Sequence, residues 1–267
     1  MKLRVDQLLV DRGLVESRSR AQALILAGKV YSGDRRVEKP GTAMADDVPL
    51  ALKGQDHPWV SRGGLKLDHG LRHFGFSPMG RICLDVGAST GGFTDVLLSA
   101  GATKVHAVDV GHGQLAWRLR TDPRVVVYEK TNARHLTAAT VPDPIEALVC
   151  DASFIGLATL LPAPLALCAP GAWAIALIKP QFEAGPGQVG NKGVVRDPAV
   201  HAEVCARVQA WWAALPGWNV LDIVESPITG PEGNKEFLIG ALRRQSDETI
   251  AVECRNHGEW QRSARPP

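Results

Sequence analysis

The chain has 267 residues, 45% of them hydrophobic and 22% charged, which is room for a small domain and a standard α/β one with ample core, and not the composition of a disordered chain. The net charge of +2 says nothing about nucleic acid by itself, but residues 1–40 carry nine Lys/Arg against five Asp/Glu, a local excess of +4 that leaves −2 for the remainder. A basic docking end on a near-neutral body is the expectation. Five cysteines, an odd number without a C-x-x-C pair, read as buried free thiols in a reducing compartment. Met1–Leu14 contains no apolar run of the secretory kind, so a cytoplasmic location is expected.

In chain order, Val5, Leu8 and Leu9 have helical spacing that Gly13 ends, and Ser17 can cap a second helix from Arg18 to Ala27, with Gly28 as its stop. Short β pieces are expected at Lys29–Ser32 and, after a Gly33-Asp34 turn and the Gly41 loop, at Val48–Leu52. The stretch RVDQLLVDRGLVESRSRAQALILAGKVYSGD, residues 4 to 34, resembles the S-four type of RNA-binding domain, named after a small-subunit ribosomal protein. That resemblance implies an α+β domain over 1–54 whose second helix and following turn meet RNA. It presents Arg4, Arg18, Arg20, Gln22 and Lys29, with Arg62 added from the end of the linker that follows. Basic side chains beside a helix N-terminus suit phosphates, and A-form RNA is read largely by shape.

Residues 55–62 are a polar, Pro-containing linker, and Leu65, Leu67, Leu71 and Phe74 then suggest an amphipathic helix. His69 and His73 stand four apart on it, but no third metal ligand is apparent, and no metal is expected. From residue 81 strands and helices alternate: Ile82–Val86, Val105–Val110, Val125–Glu129, Ala147–Asp151, Ala172–Ile178, Val220–Val224 and Phe237–Leu242 are the β-runs. Alternation of this kind predicts a doubly wound, mostly parallel sheet over 63–244 that binds ligands at its C-terminal edge, followed by a tail, 245–267. The uncharged stretch Phe154–Ile178 has the length of a membrane span, but Pro162, Pro164, Pro170 and Gly171 interrupt it. A buried helix, a turn at Pro170-Gly171 and a buried strand account for it better.

LDVGASTGGFTDVLL, residues 84 to 98, joins the first strand of that sheet to its helix. Gly87, Gly91 and Gly92 let backbone approach a ligand, and the helix start behind them offers partial positive charge. The spacing is not G-x-G-x-x-G, which disfavours a dinucleotide. The loop resembles that of S-adenosylmethionine-dependent methyltransferases, which implies cofactor contacts by Asp85, Gly87, Ser89, Gly91, Gly92 and Phe93. It also implies Asp109 for the ribose hydroxyls, Asn132 for the adenine edge, and Asp151 close to the reacting end. The same loop matches G-x-S-x-G, a hydrolase nucleophile elbow around Ser89. That rival lacks the preceding strands, and its late histidines are only His201 and His257.

The fourth and fifth strands end in Cys150-Asp151-Ala152-Ser153 and Ile178-Lys179-Pro180-Gln181, and the last begins after Asn234-Lys235-Glu236. Asp151, Lys179 and Glu236 therefore converge on one sheet edge if the last strand runs antiparallel, as in methyltransferases of this architecture. WVSRGGLKL, DASFI, IKPQFE, KGVVRDP and SPITGPEGNKEF extend the resemblance over most of the chain, from Leu3 to about Arg244. The second domain resembles the FtsJ-type ribose 2′-O-methyltransferases, and the whole chain the TlyA family of ribosomal RNA methyltransferases, some of whose members carry the name haemolysin. The resemblance implies a Rossmann-like class I methyltransferase fold and a Lys–Asp–Lys–Glu tetrad at Lys66, Asp151, Lys179 and Glu236. It further implies methylation of a cytidine ribose in ribosomal RNA or ribosomal subunits. An activated methyl on a sulfonium requires no metal. The obstacles are a poorly acidic 2′-hydroxyl and its alignment, and alignment supplies up to roughly 7–11 kcal/mol in well-oriented systems. Lys179 is the expected base, provided it is neutral when the proton leaves. Gly185–Gly193, with Lys192 and Arg196, reads as an RNA-facing lid. Two other functions stand beside this one: a haemolysin-like membrane-active protein, and an RNA-binding protein with an inactive methyltransferase domain.

Overall fold

The structure, a computed structural model, describes residues 2–15, 17–52, 57–185, 187–190 and 193–245. At the N-terminus β1 (Lys2–Arg4) leads straight into α1 (Val5–Asp11), then α2 (Arg18–Leu26), β2 (Val30–Ser32), β3 (Arg35–Arg36), β4 (Ala43–Ala45) and β5 (Ala51–Leu52). Ser17 caps α2 by accepting the Arg20 N–H at 3.2 Å. Val5, Leu9, Val15, Ala21, Ile25, Val30 and Val37 close a core of their own, separate from the two cores of the larger sheet. The strand expected at Val48–Leu52 shortens to β5, because the carbonyls of Asp46 and Val48 accept from the Arg12 guanidinium instead of from a ladder partner. The pairing of β1 with β4, three residues each, had no periodicity to announce it.

Next come α3 (Gly63–Phe74), β6 (Ile82–Val86), α4 (Gly92–Ser99), β7 (Lys104–Val108), α5 (Trp117–Arg120), β8 (Val125–Tyr128) and β9 (Ile145–Cys150). Then follow α6 (Leu157–Leu160), α7 (Pro162–Ala166), β10 (Cys168–Ile178), α8 (Pro180–Glu183), α9 (Pro198–Ala213), β11 (Trp218–Glu225) and β12 (Phe237–Arg243). Seven strands form one sheet in the order β11-β12-β10-β9-β6-β7-β8, in which only β12 runs against its neighbours. β6, β9 and β10 are near-continuous apolar runs because both faces are covered. One face buries Leu148, Ile178, Val204 and Trp212 under α9, and the other buries Leu67, Leu71, Leu97 and Ile175 under α3 and α4. Each such side chain removed from water contributes roughly 1.5–3 kcal/mol.

The apolar stretch before residue 178 resolves into α6, α7 and β10, and Pro162 opens α7 at the position where proline's missing N–H costs nothing. The turn expected at Pro170-Gly171 is instead an irregularity inside β10, where the register shifts between Cys168 and Trp173. Strand order reverses around β6, so the crevice at its C-terminal end lies between β7 on one side and β9 on the other.

Candidate active site

Four strand ends deliver charge to that crevice. Asp109 follows β7, Asp151 follows β9, Lys179 follows β10, and Glu236 precedes the antiparallel β12, which brings it to the same edge. Lys66 reaches them from the first turns of α3. Lys66 Nζ lies 2.6 Å from Glu236 Oε2 and 3.7 Å from Asp151 Oδ2, and Lys179 Nζ lies 2.6 Å from Asp151 Oδ1. Lys179 also donates to Ser153 Oγ at 3.0 Å. The four charges alternate along one chain of contacts, Glu236–Lys66–Asp151–Lys179. Both lysines and Glu236 are buried, so removal of any member strands an opposite charge in a poorly solvated place. All four line a cavity of about 640 Å³, whose wall also includes Arg62, Gly87, Phe93, Phe154 and Asn234.

Glu236 depends on a neighbour that sequence reading missed. A Cβ on Gly230 would sit 2.7 Å from Glu236 Cδ and closer still to Oε1, an oxygen with no hydrogen-bond partner among the described residues. Gly230→Ala therefore pushes the carboxylate off Lys66. Because small misplacements cost about 10²-fold in rate, single-turnover transfer should fall by at least about tenfold with cofactor affinity unchanged. In a Glu236→Asp background, whose carboxylate is withdrawn from the clash, the same glycine substitution should cost little. An equal loss in both backgrounds would contradict this role.

Beneath the chain of charges lies the glycine loop. Gly87 has φ +83°, and a Cβ there would meet Ala152 Cα at 2.9 Å, so neither the angle nor the space admits a side chain. Asp85 does not line the cavity: it is fully buried and accepts the Thr94 hydroxyl at 2.6 Å, while its Oδ1 has no partner among the described residues. Burial first, then the negative charges of Asp151 and Asp109, push its carboxyl up from an ordinary 3.8 to about 7, against the Thr94 hydrogen bond. Between those values the folded chain holds a proton that the unfolded chain has released. The stability this proton confers is full below about pH 4 and is lost as pH rises through about 7. Asp85→Asn cannot titrate and keeps an acceptor for Thr94. Denaturant midpoints should therefore fall from pH 4 to 7 more steeply in the wild type than in the variant, and parallel curves would remove Asp85 as the source.

Beside the loop, Val110, Ala133, Ile155 and Leu160 give apolar walls to a slot of about 480 Å³ that shares Gly87, Ser89, Asp151 and Phe154 with the larger cavity. Asp109 enters this slot with both oxygens engaged, Oδ2 by the Ser89 N–H at 2.8 Å and Oδ1 by the Gly111 N–H at 2.7 Å. A carboxylate has room for further donors, so it can hold a diol while it orders the loop. Asn132 accepts the Arg134 N–H at 3.1 Å, which leaves its amide group for a base edge. Volume, apolar walls, a terminal carboxylate and an adjoining glycine loop fit an adenosyl group with a short charged chain. Val110, 71% exposed along the slot, is a wall that sequence reading missed, although an apolar residue directly after a strand-end carboxylate was its signal. Ser89 belongs to this slot and not to a hydrolase triad: its hydroxyl meets Gln114 Oε1 at 3.3 Å, and His201 Nε2 lies 3.0 Å from the Val195 carbonyl. His257 lies outside the described residues.

Of the residues expected to meet RNA, Arg4, Arg18 and Gln22 converge on the buried carboxylate of Asp6. Arg20 is exposed on the same helix but turned about 200° from Arg18, and Lys29 follows that helix in the turn before β2. Arg62 stands apart from this group, exposed on the lip of the larger cavity. Phe154, 88% exposed with φ +66°, leans on Phe182 at 4.9 Å on the same lip, an aromatic surface with no core to explain it. Asn234 takes the Val195 N–H at 3.1 Å and donates to the Gly193 carbonyl at 3.0 Å, so it pins the far end of the glycine-rich segment expected to act as a lid. Lys192 and the tail from 246 onward lie outside the described residues. His73 pairs with Asp222 at 3.1 Å.

The FtsJ-like methyltransferase family matches residues 59–243, and the S4 domain matches residues 3–43. The chain is 47% identical over 253 residues to the 16S/23S rRNA (cytidine-2′-O)-methyltransferase TlyA of Mycobacterium tuberculosis, with 94% of each chain covered. It is 38% identical over 237 residues to Hemolysin A of Brachyspira hyodysenteriae, covering 88% of this chain and 98% of that one. A solved Streptococcus thermophilus structure with a provisional hemolysin name is 40% identical and superposes with a TM-score of 0.71 over 97% of both chains.

Proposed function

The chain belongs to the FtsJ-like methyltransferase family, and from that premise we propose that it methylates the ribose 2′-hydroxyl of a cytidine in ribosomal RNA, using S-adenosylmethionine and an N-terminal S-four-type docking domain. The observation that carries this reading is the buried chain of contacts Glu236–Lys66–Asp151–Lys179 beside an adenosyl-shaped slot. Asp109 and Asn132 would hold the nucleoside of the cofactor, and the glycine loop would face its charged end. When bound, the cofactor supplies an activated methyl group.

The protein's own part is to align the hydroxyl and take its proton. Lys179, as a neutral amine, is placed to accept that proton and becomes an ammonium 2.6 Å from Asp151. Asp151 thus stabilises the product of proton transfer more than its starting state, which is the condition for catalysis. Lys66 offsets only one of the two carboxylates, Asp151 and Glu236, while Lys179 is neutral, and the ammonium formed on Lys179 offsets the other. The Phe154–Phe182 surface offers a face on which an unstacked base can lie.

A membrane-active role finds no support in the fold: among the described residues no helix is long and apolar enough to cross a membrane. Residues 154–178, the stretch with the length for it, are divided among short helices and a central strand. The name Hemolysin A belongs to the relative that bears it.

Docking by the N-terminal unit is testable because its core is separate. Removal of residues 1–54 should leave S-adenosylmethionine binding intact and remove efficient methylation of ribosomal RNA. The intact chain should bind RNA with strong salt dependence, since neutralised phosphates release counterions. A truncated protein that modified ribosomal RNA as well as the intact chain would sink the docking role.

A further inference from the structure

Asp6 lies on the first turn of α1, wholly buried, yet its partners are not core residues. Its Oδ1 accepts Arg4 Nε at 3.0 Å, and its Oδ2 accepts Arg4 Nη2 at 2.9 Å, Arg18 Nη2 at 3.1 Å and Gln22 Nε2 at 3.0 Å. Arg4 comes from β1 and Arg18 and Gln22 from α2, so one carboxylate gathers three donors from two elements. Both arginine side chains remain about half exposed, at 53% and 50%. The arginines, Arg4 first, hold the Asp6 carboxyl far below the ordinary carboxylate range, so it stays ionised under all working conditions.

The charge count is the unusual feature. Two guanidinia share one carboxylate oxygen, so the cluster keeps a net positive charge on the surface. A guanidinium has five N–H donors. Arg4 gives two to Asp6 and Arg18 gives one, so most of the donors on each are not used by it. The backbone at Gly41 lies flush against the Arg4 fork, where a Cβ would come within 3.3 Å of Nη1. Without the carboxylate, two like charges at this spacing would repel, and two long side chains would have to give up their rotamer freedom on meeting a ligand. With it, the pair is set before binding, and paired, planar N–H donors match the oxygens of a phosphate diester.

We propose that Asp6 is the positioning residue of the RNA-docking face, clamping Arg4 and Arg18 side by side so that together they take backbone phosphate oxygens. This rests on the S-four docking role above and adds the device by which it works. Arg20 and Lys29 supply general attraction, whereas the Arg4–Arg18 pair supplies a shaped contact.

The sign of one substitution tests it. Asp6→Asn removes a negative charge from a face that binds a polyanion, so electrostatics alone predicts tighter RNA binding. Preorganisation predicts the reverse: affinity of the full-length chain for a labelled ribosomal RNA fragment should fall at least about fivefold, with a shallower salt dependence. In an Arg4→Ala/Arg18→Ala background the same change should have no weakening effect. Gly41→Val leaves every charge in place and crowds Arg4, so it should also weaken RNA binding; it serves equally if Asp6→Asn fails to fold. S-adenosylmethionine calorimetry controls for folding. Unchanged or tighter RNA binding by a folded Asp6→Asn, or an unchanged affinity in Gly41→Val, overturns the positioning role. Unchanged binding in the Arg4→Ala/Arg18→Ala protein overturns the docking assignment itself.

Discussion

Lys179→Arg is expected to fold, to bind S-adenosylmethionine and RNA as the wild type does, and to lose methyl transfer by on the order of 10²–10⁴-fold, the usual worth of a general base. Lys179 is held at 2.6 Å from Asp151 and 3.0 Å from Ser153, both acceptors that an arginine can also reach. The substitution therefore keeps the positive charge and removes only the ability to give up a proton, because a guanidinium does not deprotonate in proteins. Lys179→Ala should lose transfer to a similar degree. A base acts on the barrier, so ground-state affinities stay while the single-turnover rate falls. An electrostatic clamp behaves differently: arginine would substitute in part where alanine would not. Near-normal turnover by the arginine variant would remove Lys179 as the base and leave the tetrad as a positioning device.

Asp109→Ala is expected to weaken S-adenosylmethionine by about 10–150-fold, the loss of one charged hydrogen-bonding group worth roughly 1.5–3 kcal/mol, with RNA affinity unchanged. Two effects add here. The slot loses its ribose acceptor, and the N–H groups of Ser89 and Gly111, now capped at 2.8 and 2.7 Å, lose their partner and with it the set of the loop. Asp109→Asn should do no better, although it fills the same volume. One of its two positions is an NH₂ facing a backbone N–H, and donor meets donor. Calorimetry on the three proteins decides: near-wild-type affinity in the asparagine variant would mean that shape, not the carboxylate, matters at this position.

Much of this was legible in the residues, and what was not has identifiable physical reasons. Ile82–Val86 is a run apolar except for Asp85 between a turn and a glycine loop, and it folds as that strand to the residue. The expected runs Val105–Val110 and Ala147–Asp151 include Asp109 and Asp151, but both residues lie one position beyond their strands, where they are freed from the ladder to cap a loop and to meet lysines. Lys66 came from resemblance alone. On an amphipathic helix it reads as a solvated face, and only the packing of α3 against the sheet turns it inward to 7% exposure. Asp6 escaped for the opposite reason: a carboxylate in the first turn of a helix reads as a favourable neighbour of the helix dipole, and its partner Arg18 is twelve residues on. Gly230 matters through a distance to Glu236 that no spacing in the chain expresses. The bulge at Pro170-Gly171 looked like a turn because both signals are the same two residues, and the strand merely deforms around them.

Where the methyl group goes decides whether this chain methylates ribose oxygen or a base. Ribosomal RNA from cells lacking the protein, incubated with it and methyl-labelled S-adenosylmethionine, is hydrolysed in alkali, which cleaves only where a free 2′-hydroxyl can attack the adjacent phosphate. The result expected is label confined to alkali-resistant dinucleotides whose 5′ member is cytidine, absent with Lys179→Arg. Label in alkali-released mononucleotides would place the methyl on a base and contradict the account, as would alkali-resistant label undiminished in the arginine variant.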